Sequence, residues 1–226
     1  MHLFQASASS VGSKILIALT GLGLFLFLIG HLAGNLLFLV GPDAFNHYSH
    51  SLTSNPLIYV IEAGLVGVFF VHVAKTVAVV LGNRAARPTG YASRRWAKAK
   101  NPRSRKTLAS STMIVTGTIV LLFVVTHLAT FKFGTFYEAA DGTRDIYRLQ
   151  LEIFSSPAYV VFYLFAMAVI FFHLWHGISS AAQSLGISSA AGSPGLLVLG
   201  RVLAIVIAGG FFIIPIYTFI LSKGVL

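Results

Sequence analysis

Five stretches of this chain are continuous apolar runs of membrane-spanning length, and they limit the fold more than any other feature. They cover about Lys14 to Val40, Pro56 to Leu81, Leu108 to Thr130, Pro157 to Gln183 and Val198 to Leu221. In hydrocarbon each segment must satisfy its own backbone hydrogen bonds, so each is expected to be a helix. A membrane barrel would show short alternating strands instead. Composition agrees: of 226 residues, 56% are hydrophobic and 10% charged. A soluble domain of this size could not bury that much apolar surface. The expected fold is a single all-α integral-membrane domain over residues 1–226, with a four-helix bundle core and a fifth helix. Residues 1–13 lack a basic leader, and the run that follows is too long for a signal-peptide core, so it is read as a retained first span. No internal repeat is evident. Gly41 to Asn55 and Phe131 to Ser156 read as connections.

The net charge is +10. Nine Lys and Arg residues and no acid lie between Asn83 and Lys106. The positive-inside rule makes that loop, and hence the N-terminus, cytoplasmic, with the C-terminus outside. Orientation and attraction to anionic lipid account for the charge, and no nucleic-acid partner is expected. There are no cysteines. Thiolate metal sites, iron–sulfur clusters and covalent c-type haem are therefore excluded within this chain.

Four spans carry a histidine at depth: His31, His72, His127 and His173. An intramembrane imidazole is costly and signals function by default. Alternating helix direction converts sequence position into depth. His31 and His127 then fall toward the outer side, and His72 and His173 toward the cytoplasmic side. Each pair draws on two different helices. That arrangement suits two b-type haems in a helical bundle, each iron taking two axial imidazoles. A proton relay would normally add carboxylates, and Glu62 is the one clear intramembrane acid. A metal transporter would gather carboxylate or sulfur ligands at one depth. His176 lies one turn beyond His173 and is an alternative ligand, or a donor to a propionate or quinone. Gly30 and Gly34 flank His31. They form either a seat for a porphyrin face or a close helix contact. His47 and His50 lie at interface depth and need no special account.

The motifs then carry a resemblance. SSVGSKILIALTG enters the first span, GHLAGNL surrounds His31, and DAFNHYSHSLTSNPL precedes the second span. VH at His72, THL at His127 and HLWHGISSAAQSLG from His173 follow in order. Together they resemble the b558-type cytochrome b subunits of succinate dehydrogenases and fumarate reductases, over almost the whole chain. The resemblance implies a five-helix anchor in the prokaryotic cytoplasmic membrane, with two bis-histidine haems b. A flavoprotein and an iron–sulfur subunit would dock on the cytoplasmic face, holding FAD and the iron–sulfur clusters. Electrons from succinate would reach a quinone, usually menaquinone. His72 and His173 would ligate the inner haem, and His31 and His127 the outer one. The first histidine of HLWHG is the family ligand, which favours His173 over His176.

Quinone or propionate contacts are expected among Ser13 and Lys14 on the inner side, and Asn35, Tyr48 and Glu62 on the outer side. The basic loop gains a docking role. A higher oligomer of the complex stays open. Two other readings stand beside this one: the dihaem b subunit of a quinone-linked hydrogenase or formate dehydrogenase, and a haem-free transporter.

Overall fold

The computed structural model describes residues 10–86, 112–187 and 194–224. Most of the basic loop, the start of the third span and part of the fourth connection lie outside the described residues.

Among the described residues seven α-helices follow one another: α1 Ser10–Leu36, α2 Pro42–Thr53, α3 Leu57–Ala85, α4 Met113–His127, α5 Ile146–Ser155, α6 Pro157–Ser184 and α7 Pro194–Ser222. Five are long and apolar enough to cross a bilayer: α1, α3, α4 with its extension to Lys132, α6 and α7. The described residues form no strand; an isolated bridge joins Glu138 and Arg144. At 1.5 Å per residue, the 27 residues of α1 reach about 40 Å. We call the end where α1 begins the near end, and the opposite one the far end.

Both expected connections at the far end contain a helix. Gly41 has φ 138°, which an L side chain rarely adopts, and it turns the chain out of α1. Pro42 then takes the first helical position and Asp43 the first turn, so α2 starts where its sequence favours a start. The short helix was missed because its polar surface reads as loop; Phe45 is its one buried side chain. The second missed helix, α5, is capped by Asp145, whose carboxylate accepts from the Arg148 backbone N–H at 3.0 Å. Leu149, Gln150 and Phe154 form its buried face. Asn46 ties the two helices together. Its amide donates to Asp145 at 2.9 Å and its oxygen accepts from the Tyr147 N–H at 3.0 Å. Asp145→Ala removes the cap and this tie. It should cost about 1–2 kcal/mol, read as a lower midpoint in thermal unfolding of the detergent-solubilised protein.

Packing is uneven. On α6, Val160, Tyr163, Met167, Ile170, Leu174 and Ile178 recur at helical spacing and are buried. α6 packs most extensively on α7, where Ala204 and Ala208 are almost fully buried. Small residues let the two backbones approach, which drives helix association where lipid is as apolar as the core. Gly210 of α7 likewise meets Leu32 of α1, whose side chain would lie 2.7 Å from an added Cβ. In contrast, α3 has no buried residue. It rests on α1, while α4 rests on α6. The histidine-bearing helices thus form two pairs, α1 with α3 and α4 with α6, and the pairs are joined by contact between α1 and α6.

At the far end, α4 widens into a single π-helical turn, Leu128–Lys132, immediately after His127. The Phe133 N–H donates to the Leu128 carbonyl at 2.9 Å. Arg144 closes this end: its guanidinium donates to the carbonyls of Phe131 at 3.0 Å and Lys132 at 3.3 Å. A cation there satisfies the last helical carbonyls and complements the helix dipole. Lys132 pairs with Glu62, bridging the far ends of α4 and α3.

Candidate functional site

The histidines stand on four different helices, all half-buried. At the far end His31 of α1 and His127 of α4 face each other, with ring centroids 5.8 Å apart and planes 85° apart. That is close to the roughly 6 Å separating imidazole centres when two rings bind one metal through bonds of about 2 Å. Aromatic side chains enclose the pair. Phe27 and Phe211 lie against His31. Phe123 and Phe131 lie against His127. The Tyr163 hydroxyl is 3.3 Å from His127 Nδ1. Asn35 lies one turn from His31; its amide donates to the His31 carbonyl at 2.8 Å and lies 3.4 Å from Nδ1.

Nearer the other end, His72 of α3 and His173 of α6 lie within electrostatic reach of one another. Each ring is held by the helix its own helix packs on. Thr20 Oγ1 of α1 is 3.1 Å from His72 Nδ1. Thr116 Oγ1 of α4 is 3.2 Å from His173 Nδ1. The next residue is glycine in both cases. A Cβ on Gly21 would lie 3.1 Å from His72 Cε1, and one on Gly117 3.5 Å from His173 Cε1. The rings therefore occupy cradles that a side chain would narrow or touch.

The remaining sequence candidates are placed as follows. Gly34 is buried against Tyr48, whose ring would lie 2.5 Å from an added Cβ, so this glycine seats α2 on α1. Gly30 meets no atom within 4 Å of such a Cβ. Tyr48 and Asn35 lie on the far side and Glu62 pairs with Lys132. At the near end Ser13 is buried and Lys14 exposed. His176 is half-buried one turn beyond His173, and His47 and His50 are exposed.

Reasoning from sequence missed Thr20, Thr116, Tyr163 and Lys132. A signal for the threonines was present. In both α1 and α4 a Thr–Gly dipeptide precedes the histidine, and the threonine is eleven residues before it: Thr20 to His31 and Thr116 to His127. Eleven residues are three helical turns to within about 20°, so threonine and histidine share one face of each helix. The spacing is too sparse to register as a repeat until the partner histidines are placed.

Donor chemistry narrows what such a site holds. Among the described residues no three His, Asp or Glu side chains gather. A metal held by protein alone wants about four ligands, whereas a haem iron takes only axial ones. Paired imidazoles in an aromatic, apolar setting fit the second case.

These features define an all-helical integral-membrane protein with two pairs of imidazoles inside its spans. The chain is similar to the succinate dehydrogenase cytochrome b558 subunit of Bacillus subtilis (strain 168), with 28% identity over 165 residues, 72% of this chain and 73% of that protein. The likeness supports the b558 family suggested by the histidine motifs. No protein-family profile matches the chain, and no solved structure does.

Proposed function

We propose that this chain is the dihaem cytochrome b anchor of a succinate:quinone oxidoreductase. The observation that supports the reading is the facing of His31 and His127 from two helices, with His72 and His173 on two others, each ring held against a Thr–Gly dipeptide. His72 and His173 hold the haem on the cytoplasmic side, where α1 begins, and His31 and His127 hold the outer one. When bound, the two haems supply one-electron transfer across the bilayer, from an iron–sulfur subunit to a quinone, usually menaquinone. The protein's part is to fix the imidazoles, exclude water and keep the cofactor without a covalent bond. Phe27, Phe123, Phe131 and Phe211 give the outer pair its apolar wall. Glu62 sits at the outer rim with Lys132 beside it, where a carboxylate oxygen can give or take the proton that quinone chemistry requires. The flavoprotein and iron–sulfur subunits dock on the cytoplasmic face, with the Asn83 to Lys106 loop as the basic contact.

The test is a purified complex and its reduced-minus-oxidised spectrum. Two b-type haems per chain, with a co-purifying flavoprotein, are expected. No b-type band, or one haem, overturns the dihaem reading. Two haems with a hydrogenase or formate dehydrogenase partner would move the chain to that class of enzyme.

A further inference from the structure

We infer that Thr20 and Thr116 are a matched pair of positioning residues that fix the proton of His72 and His173 on Nδ1 and so present Nε2 to the inner iron. The inference rests on the proposed dihaem reading and goes beyond it, because it assigns the tautomer and the residues that set it.

Proton accounting carries the argument. A threonine hydroxyl has one hydrogen to donate and two lone pairs to accept with. Thr20 Oγ1 lies 2.6 Å from the Leu16 carbonyl, and its hydrogen is committed there. Thr116 Oγ1 lies 3.2 Å from both the Thr112 and the Met113 carbonyls, and we assign its hydrogen to these two acceptors of its own helix. Neither hydroxyl has a second hydrogen for the imidazole. The contacts of 3.1 and 3.2 Å to Nδ1 are then hydrogen bonds only if the ring nitrogen donates. A neutral imidazole that donates from Nδ1 keeps its lone pair on Nε2. Nε2 is then the atom available to a metal, and the acceptor behind Nδ1–H makes it a more basic ligand.

The two halves repeat the device. Thr–Gly, three turns and His lie along α1, and the same along α4. Each of these helices therefore carries one ligand of the outer pair. About 16 Å away on the same face, it carries the hydroxyl that orients the inner ligand of its neighbour. The glycines make the close approach possible, but not equally: 3.1 Å at Gly21 is tight and 3.5 Å at Gly117 is ordinary contact. Thr116 is buried and Thr20 half-buried, so Thr116 is the cleaner of the two threonines to test.

The experiment uses the intact complex and reads the midpoint potential of each haem by optical redox titration. Thr116→Val keeps the shape and removes the hydroxyl; Thr116→Ser restores it. The inner haem should shift to higher potential in the valine variant, because the less basic imidazole stabilises ferric iron less. The outer haem should stay put, and serine should return the inner one. Thr20→Val should act in the same direction but less. Loss of the inner haem in a valine variant, with retention in the serine variant, also supports the assignment. Unchanged potentials in both valine variants overturn it, as does a serine variant no better than valine. Gly21→Ala should disturb the inner haem spectrum and Gly117→Ala should not; the reverse order overturns the cradle geometry. A wild-type complex with no inner bis-histidine haem instead refutes the proposed function itself.

Discussion

His72→Ala and His173→Ala each remove one and the same haem, while His31→Ala and His127→Ala each remove the other. This is the largest effect expected from any single substitution in the chain, a complete loss of one of two spectral components. Alanine offers the iron no ligand, and on the proposed reading a porphyrin without a covalent bond to the protein depends on both axial imidazoles to stay bound. The sorting into pairs follows from structure. His31 and His127 face each other at 5.8 Å. His72 and His173 stand nearer the other end, each against a Thr–Gly dipeptide. His176→Ala should keep both haems. If it removes one and His173→Ala does not, the ligand on α6 is His176. The measurement is the haem-to-protein ratio with reduced-minus-oxidised spectra of the five purified variants.

Phe38→Ala should cost about 3–5 kcal/mol in stability, the greatest effect expected away from the histidines. Phe38 is 1% exposed. Its ring stacks on Tyr147 of α5 at 4.3 Å and meets Phe45 of α2 edge-on at 5.6 Å and Tyr217 of α7 at 6.4 Å. One side chain thus pins the end of the first span to both extramembrane helices and to the last span. Truncation leaves a cavity that aromatic neighbours on three separate segments cannot close together. Phe38→Leu should cost less, because it keeps most of the volume. Thermal unfolding in detergent, followed by intrinsic fluorescence, separates the two; equal midpoints for wild type and Phe38→Ala would sink the idea.

The parts legible in the sequence are those governed by long-range periodicity and by depth. Five spans can be read because apolar runs of that length have few other uses. The meeting of His31 with His127 can be read because antiparallel helices convert position into depth. The parts that were not legible depend on short range and on partners. Helices α2 and α5 are only 12 and 10 residues long, α2 is mostly polar, and their caps at Gly41 and Asp145 become meaningful once Asn46 has joined the two helices. Gly34 looked like a porphyrin seat beside His31, and it lies against Tyr48, a residue whose helix had been read as loop. Threonines in apolar helices commonly bond back to their own carbonyls, as Thr118, Thr126 and Thr130 do here. Only the Thr–Gly dipeptide eleven residues before a histidine marks Thr20 and Thr116 apart from these, and it gains meaning when His72 and His173 arrive beside them.

The lone packing partner of α3 bears on the order of assembly. A span that rests on α1 and buries no residue has little holding it in register except the Glu62–Lys132 pair at its far end and what its histidine binds. On the proposed reading, the inner haem is then a tertiary contact as much as a redox group, because it ties α3 to α6 where side chains do not. A nascent chain short of haem would carry α3 as its most easily opened segment, the element membrane proteases meet first. Cofactor supply would thereby set how much of the subunit survives to meet its partners.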